Sequence, residues 1–146
     1  MLSRDEIIAY ARRTGRGDAA GLRSRAPDMD GTALIREEQK VPDFDPKRDY
    51  SAWPAGAPVA DGGQVYKLIQ PHNAADYEGR PATLRALWGL CHTMDPDRAK
   101  PFAAPLGTSG LYMDGECVAD GGKVYRCRKD NTVYSPAELP EAWEEV

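Results

Sequence analysis

A stretch of nine residues occurs twice in the chain. It reads Val59-Ala60-Asp61-Gly62-Gly63-Gln64-Val65-Tyr66-Lys67 and then Val118-Ala119-Asp120-Gly121-Gly122-Lys123-Val124-Tyr125-Arg126, with seven of the nine positions identical. An internal repeat constrains the fold more than any composition does, because each copy must be one structural unit. Asp-Gly-Gly supplies residues that accept a positive φ, and the Val and Tyr on either side suit a pleated strand, so each copy predicts a β-hairpin. The turn set is Asp61, Gly62 and Gly63 in the first copy and Asp120, Gly121 and Gly122 in the second, with Tyr66 and Tyr125 on the returning strands. The same register pairs Trp53 with Tyr112 and Gly56 with Gly115. Downstream, the first copy runs through Pro71 and Pro81 to Trp88, and the second through Pro136 and Pro140 to Trp143.

The expected fold is mainly β: two small repeated β-hairpin modules, over 49–91 and 92–146, preceded by a short helical N-terminal arm over 1–48. At 146 residues, each module lies near the lower size limit for an independent core, so the two are expected to pack on each other or on neighbouring chains. The 14 Gly and 12 Pro suit short strands joined by turns. The arm opens with Ser3 as N-cap and Glu6 three residues on, which predicts a helix over 3–14 ended by Gly15. From Arg12 to Arg25 there are five arginines and one acid, Asp18, with three glycines between them, which predicts a basic, extended segment. It is either a dock for an acidic neighbour or a solvated linker. A second helix is expected from Asp30 or Gly31 to about Glu38, capped by Asp28 or Asp30. Val41 to Lys47, holding Pro42 and Pro46, then reads as a stiff connector. Thr83 to Cys91 is expected to form a short helical turn, and Asp95 to Pro105 a surface loop.

The inventory of reactive groups is thin. Cys91, Cys117 and Cys127 have no metal-ligand spacing, and neither His72 nor His92 lies near a Cys pair, so no metal site and no cofactor are expected. Cys117 and Cys127 flank the second turn, where a disulfide is conceivable, though packed free thiols are the plainer reading. No nucleophile elbow or phosphate-cradling Gly motif is present, and no pair of carboxylates stands out, so no catalytic residue is nominated and a non-enzyme is expected. A net charge of −4 argues against a general nucleic-acid binder. No apolar run has membrane-spanning length, and the opening residues lack a signal-peptide pattern, so cytoplasmic synthesis without membrane insertion is expected.

The unit of an aromatic residue, a Gly turn, Val-x-Tyr, a Pro-bearing loop and a Trp resembles the small chitin-binding-type carbohydrate-binding modules. Trp53-Pro54-Ala55-Gly56, the run Val65-Tyr66-Lys67-Leu68-Ile69-Gln70-Pro71-His72 and the segment from Leu84 to Trp88 are similar to a tail-associated protein of tailed bacteriophages. That resemblance covers roughly Met29 to Val146 and departs from the pattern at Asp61-Gly62-Gly63, where a longer strand and turn is usual. It implies a structural virion protein, a tail or surface appendage, with carbohydrate-binding-like modules. Its implied partners are other virion proteins reached through the arm, further copies of itself and a host-surface glycan. The alternative it leaves open is a stand-alone glycan-binding module. Sugars are held on flat aromatic rings with polar partners at the edge, so the implied glycan site draws on Trp53, Tyr77, Trp88 and His72. Tyr66, Tyr125, Trp88 and Trp143 have a competing role as core, because a module this small needs its aromatics inside.

Overall fold

In this computed structural model, which describes residues 18–146, Asp61 and Asp120 each hand the chain to two glycines in the left-handed region: Gly62 at φ 58°, Gly63 at 79°, Gly121 at 59° and Gly122 at 81°. Positive φ at both central positions gives the two-residue turn whose twist matches antiparallel strands. The flanking strands therefore pair alike. In the first hairpin, β1 (Pro58–Asp61) meets β2 (Gln64–Leu68) with Val59 opposite Tyr66. In the second, β5 (Cys117–Asp120) meets β6 (Lys123–Cys127) with Val118 opposite Tyr125.

Each hairpin gains a third antiparallel strand that opens on a tryptophan: β3 (Trp88–Leu90) beside β2 and β7 (Trp143–Glu145) beside β6. On its other edge the second hairpin carries a short parallel strand, β4 (Lys100–Pro101). The first carries a single parallel bridge at the equivalent place, Asp43 to Ala60. The protein is thus mainly β, with sheets β1-β2-β3 and β4-β5-β6-β7.

Strand periodicity sorts the first sheet into two buried faces. Val59, Tyr66 and Leu68 face a cluster of Phe44, Tyr50, Ala57, Leu87 and Trp88. Val65, with Ala60 at its edge, faces the opposite way and is covered by Leu22, Ala26, Leu34, Ile35 and Val41, with Cys91. The second sheet buries one face, Val118 and Cys127 against Tyr112, Ala142 and Trp143. Val65 is 1 % exposed, whereas its counterpart Val124 is only half-buried.

The covering on the first sheet comes from the N-terminal segment, and two expectations are corrected there. Residues 18–25 are α-helical (α1) rather than extended. Leu22 and Ala26, four apart, fall on one face and bury against the sheet, which outweighs the cost of the exposed Gly21. The segment also does not simply precede the modules as a separate arm over 1–48, because α2 (Gly31–Arg36) and the residues after it form part of the core. Asp30 caps α2 by accepting from the Ala33 N–H at 2.8 Å, as expected, and the helix gives way to a 3-10 turn, Glu38–Lys40. The expected connector carries the buried Phe44 and the bridge at Asp43, so the boundary expected at 48/49 falls inside one packed unit. The helix expected over 3–14 lies outside the described residues.

The same segment fastens the two sheets together. The Met94 N–H donates to Thr32 Oγ1 at 2.9 Å, and Arg36 meets Asp95 at 3.8 Å. Glu38 takes Arg98 at 3.7 Å and also Lys100, at the start of β4. Gln64 Nε2, beside the first turn, donates to the Pro101 carbonyl at 2.7 Å. The expected surface loop between the modules therefore contributes a strand and these ties. Thr83 to Cys91 makes turns closed by Leu84 N–H to Arg80 and Trp88 N–H to Leu84, and then becomes β3.

The register corrects the proposed aromatic pairing. The counterpart of Tyr112 is Tyr50 and not Trp53: the Tyr50 N–H donates to the His72 carbonyl and its hydroxyl accepts from the Asp45 N–H at 2.9 Å. The Tyr112 N–H donates to the Thr132 carbonyl and its hydroxyl accepts from the Ala103 N–H at 3.0 Å. Phe44 and Phe102 correspond as well, each donating its N–H to the middle alanine of the neighbouring strand, Ala60 or Ala119. Gly56 and Gly115 do pair as expected, donating to Leu68 and Cys127.

Candidate functional site

Four side chains were expected to face a sugar, and the fold turns two of them inward. Trp88 is 0 % exposed, edge-on to Tyr50 at 5.2 Å and to Phe44 at 5.7 Å, so no sugar reaches its ring. His72 is buried too, edge-on to Trp88 at 5.5 Å and to Tyr77 at 5.3 Å. These two are corrected from site to core, for a physical reason: a sheet of three short strands has few residues with which to fill its interior, and the large rings are what fill it. Tyr77 is 47 % exposed and caps that stack at the surface. It alone of the four offers an open ring. Trp53 is half-buried and packs edge-on to Tyr50 at 4.7 Å, at the margin of the cluster that holds Trp88.

Of the repeat residues, Tyr66 and Trp143 are buried and Tyr125 is half-buried, in keeping with their reading as core. Trp143 Nε1 donates to the Tyr134 carbonyl at 3.0 Å. Asp61 does more than enter a turn, because it receives Arg80 through Nε at 2.9 Å and Nη2 at 2.7 Å.

A cleft of about 750 Å³ opens between the sheets, with Leu68, Ile69, Leu90, Leu111 and Met113 as apolar lining and Lys67, His92, Glu116 and Asn131 as polar lining. Three of these polar groups are already employed. Lys67 Nζ donates to the Met29 carbonyl, and Glu116 Oε1 accepts from the Met113 N–H at 2.7 Å. His92 stacks on Tyr112 at 3.8 Å and its Nε2 donates to the Gly110 carbonyl at 3.0 Å. Burial lowers the His92 pKa, although the Gly110 bond and the nearby Arg85 also act on it, and burial raises that of Glu116. A neutral imidazole and a carboxyl group tied to backbone hold the cleft walls in shape.

A second cleft, about 380 Å³, is lined by Ala19, Arg23, Pro42, Arg48 and Trp53. The Arg23 guanidinium lies 3.9 Å above the Trp53 ring and that of Arg48 lies 5.6 Å from the same ring. Sequence reasoning found Trp53 and the basic character of the Arg12 to Arg25 segment but assigned no role to Arg23 or Arg48. The signal for Arg23 was the excess of arginine over acid in that segment, whereas Arg48 lies outside it. Which ring Arg23 would meet depends on where α1 docks, whereas Arg48 lies close to Trp53 in the chain.

Cys117 and Cys127 form no disulfide. Cys117 stands opposite Arg126, so the next residue, Cys127, points to the other face of the sheet. Cys91 is buried, and burial pushes its thiol up to about 12. Among the described residues, no three His, Cys, Asp or Glu side chains gather as a metal ion would require, and no helix is long and apolar enough to cross a membrane. No protein-family model matches the sequence, and no curated protein matches it.

Proposed function

We propose that the chain is a non-catalytic structural component of a tailed-bacteriophage particle, in a tail or surface appendage, working through contacts between proteins. The observation that carries this reading is the placing of the exposed apolar side chains. Met94, Met113, Val133 and Tyr134 are 56 %, 41 %, 39 % and 53 % exposed and belong to neighbouring loops of the second module. The bridge between Tyr112 and Thr132 sets Met113 beside the 131–134 loop, and the Met94 side chain lies against Gly115. A group of exposed apolar side chains on adjoining loops suits contact with a neighbouring protein. The use of Trp88 and Trp143 as core also supports a scaffold over an open sugar groove.

A second reading, glycan binding, draws on the open ring of Tyr77. Peptide mass spectrometry of particles purified from lysates of the encoding strain tests the first: the chain should copurify in a fixed ratio, and Met94→Asp should lower that ratio while the protein stays folded. Absence from the particles overturns it. Adsorption to cells that drops with Tyr77→Ala, at unchanged incorporation, would favour the second.

A further inference from the structure

Among the described residues three arginines lie over aromatic rings, and they differ in what completes them. Arg80, 5.3 Å from the Phe44 ring, points its fork at the Asp61 carboxylate, with contacts at 2.7 and 2.9 Å. Arg23 and Arg48 share the Trp53 ring, and among the described residues neither has an acidic partner. Two like charges are thereby held around one ring beside a cleft, in a protein whose net charge is −4. Arg23 Nε is buried and has no acceptor among the described residues.

Stacking fixes a guanidinium without using its donors, because the ring meets the flat face while every N–H lies in the plane. Arg23 is thus held over Trp53, and among the described residues its donors have no acceptor. Arg48 adds a second charged fork within reach of the same cleft. A carboxylate, with two oxygens, is satisfied by one such fork, as Asp61 is by Arg80. Two forks call for an anion with more oxygens and more charge, and a phosphate group has both. At about 380 Å³ the cleft is at the small end of ligand sites and has room for a phosphate with a small attached group.

We propose that Arg23 and Arg48 bind a phosphate group beside Trp53, either inorganic phosphate or the phosphate of a sugar monoester. This site would make Trp53 the aromatic wall of an anion pocket in place of an open platform for a neutral sugar. The inference is independent of where the chain is assembled. Burial, together with the charge of Arg48, lowers the Arg23 pKa, the direction that an approaching anion would reverse.

The test uses the full chain and the indole N–H signals of its three tryptophans, the Trp53 signal being the one lost in Trp53→Phe. Titration with sodium phosphate or glucose 6-phosphate should move that signal saturably, while glucose and sodium chloride at matched ionic strength should not. Tighter binding of glucose 6-phosphate marks a sugar monoester as the ligand, and equal binding marks the free anion. Arg48→Gln should weaken binding about ten-fold or more, the scale of losing one charged hydrogen-bond partner. Arg23→Gln should do the same, and Arg48, being exposed, keeps the test open if the Arg23 variant does not fold. A Trp53 signal that phosphate leaves unmoved, or moves no differently from chloride, overturns the proposal, as does binding by Arg48→Gln equal to that of the parent.

Discussion

Tyr50 stands edge-on to Trp88, ring centroids 5.2 Å apart and planes at 89°, and the same relationship recurs between Tyr112 and Trp143 at 5.4 Å. Phe44 stacks on Tyr50 at 6.0 Å and Phe102 on Tyr112 at 5.2 Å, so three aromatic rings fill the middle of each sheet's packed face. Trp88→Ala and Trp143→Ala are each expected to cost about 3–5 kcal/mol, the usual loss for a large buried ring. Tyr50→Phe and Tyr112→Phe keep the ring but lose one backbone N–H partner, at about 1 kcal/mol each. Urea unfolding of the four variants checks this order.

The turn glycines give a sharper test, because a Cβ at Gly62, Gly63, Gly121 or Gly122 would meet nothing within 4 Å. Any penalty there is conformational, not steric. Val at any one of them should lower stability by about 1–2 kcal/mol, whereas Asn, which tolerates the left-handed region, should cost clearly less. Equal melting temperatures for the Val and Asn variants would count against the turn geometry.

Gly31 offers the opposite case, since a Cβ there would lie 2.2 Å from the His92 carbonyl oxygen. The first residue of α2 approaches the chain between the modules so closely that only hydrogen fits. Gly31→Ala should therefore destabilise more than its favourable helix propensity could restore. Its effect should be seen at both sheets, as lost protection in amide exchange of β2 and of β5, because Thr32 and Glu38 tie the same segment to residues 94–100.

The hairpins were legible in the sequence because Asp-Gly-Gly between Val-bearing strands is a local signal, complete within nine residues. The aromatic pairing was not. Six positions separate Tyr50 from Gly56 but only three separate Tyr112 from Gly115, so a constant offset sets Trp53 against Tyr112 and hides the true counterpart. Phe44 and Phe102 were missed because each precedes its hairpin on a segment joined by a parallel pairing, a non-local contact. Leu22, Ala26, Leu34 and Ile35 did carry helical spacing, broken by Pro27, but nothing in it said that the second face of β2 was what they cover. That exposed face of the hairpin was the missing half of the argument. Tyr77 and Trp53 show the same limit at the candidate sites: their positions near loops were readable, whereas the placing of Arg23 over Trp53 depends on the docking of α1.

Cys91 reports on that docking. Its thiol sits beneath Leu34 and Ile35 and is pushed up to about 12 by burial, so in the folded protein it should resist alkylation at neutral pH. Leu34→Ala should open the cover and raise the rate of Cys91 labelling well above that of the parent, at a cost of about 2–5 kcal/mol. Removing residues before Val41 should go further and leave the β2 face bare, giving an unstable fragment in place of a free-standing β-module. A soluble, cooperatively folding fragment with an unreactive Cys91 would show that the cover is dispensable.

Protonation of His92 supplies the last prediction. Its ring is stacked on Tyr112, its Nε2 proton is committed to the Gly110 carbonyl, and burial holds its pKa below the ordinary value of 6.5. The unfolded chain therefore binds a proton at a pH where the folded chain resists it. Between 6.5 and the lower folded value, stability must fall as pH falls, because the state that binds more protons gains. Glu116, raised by burial, works the other way, with stability falling as pH rises from 4.5 towards its folded value, so the parent curve alone is a mixture. The comparison of parent with His92→Gln separates the two, since Glu116 is common to both. The stability advantage of the parent over the variant should shrink between pH 7.5 and pH 5, and an advantage that stays constant or grows on acidification would mean that His92 is not held neutral between the two sheets.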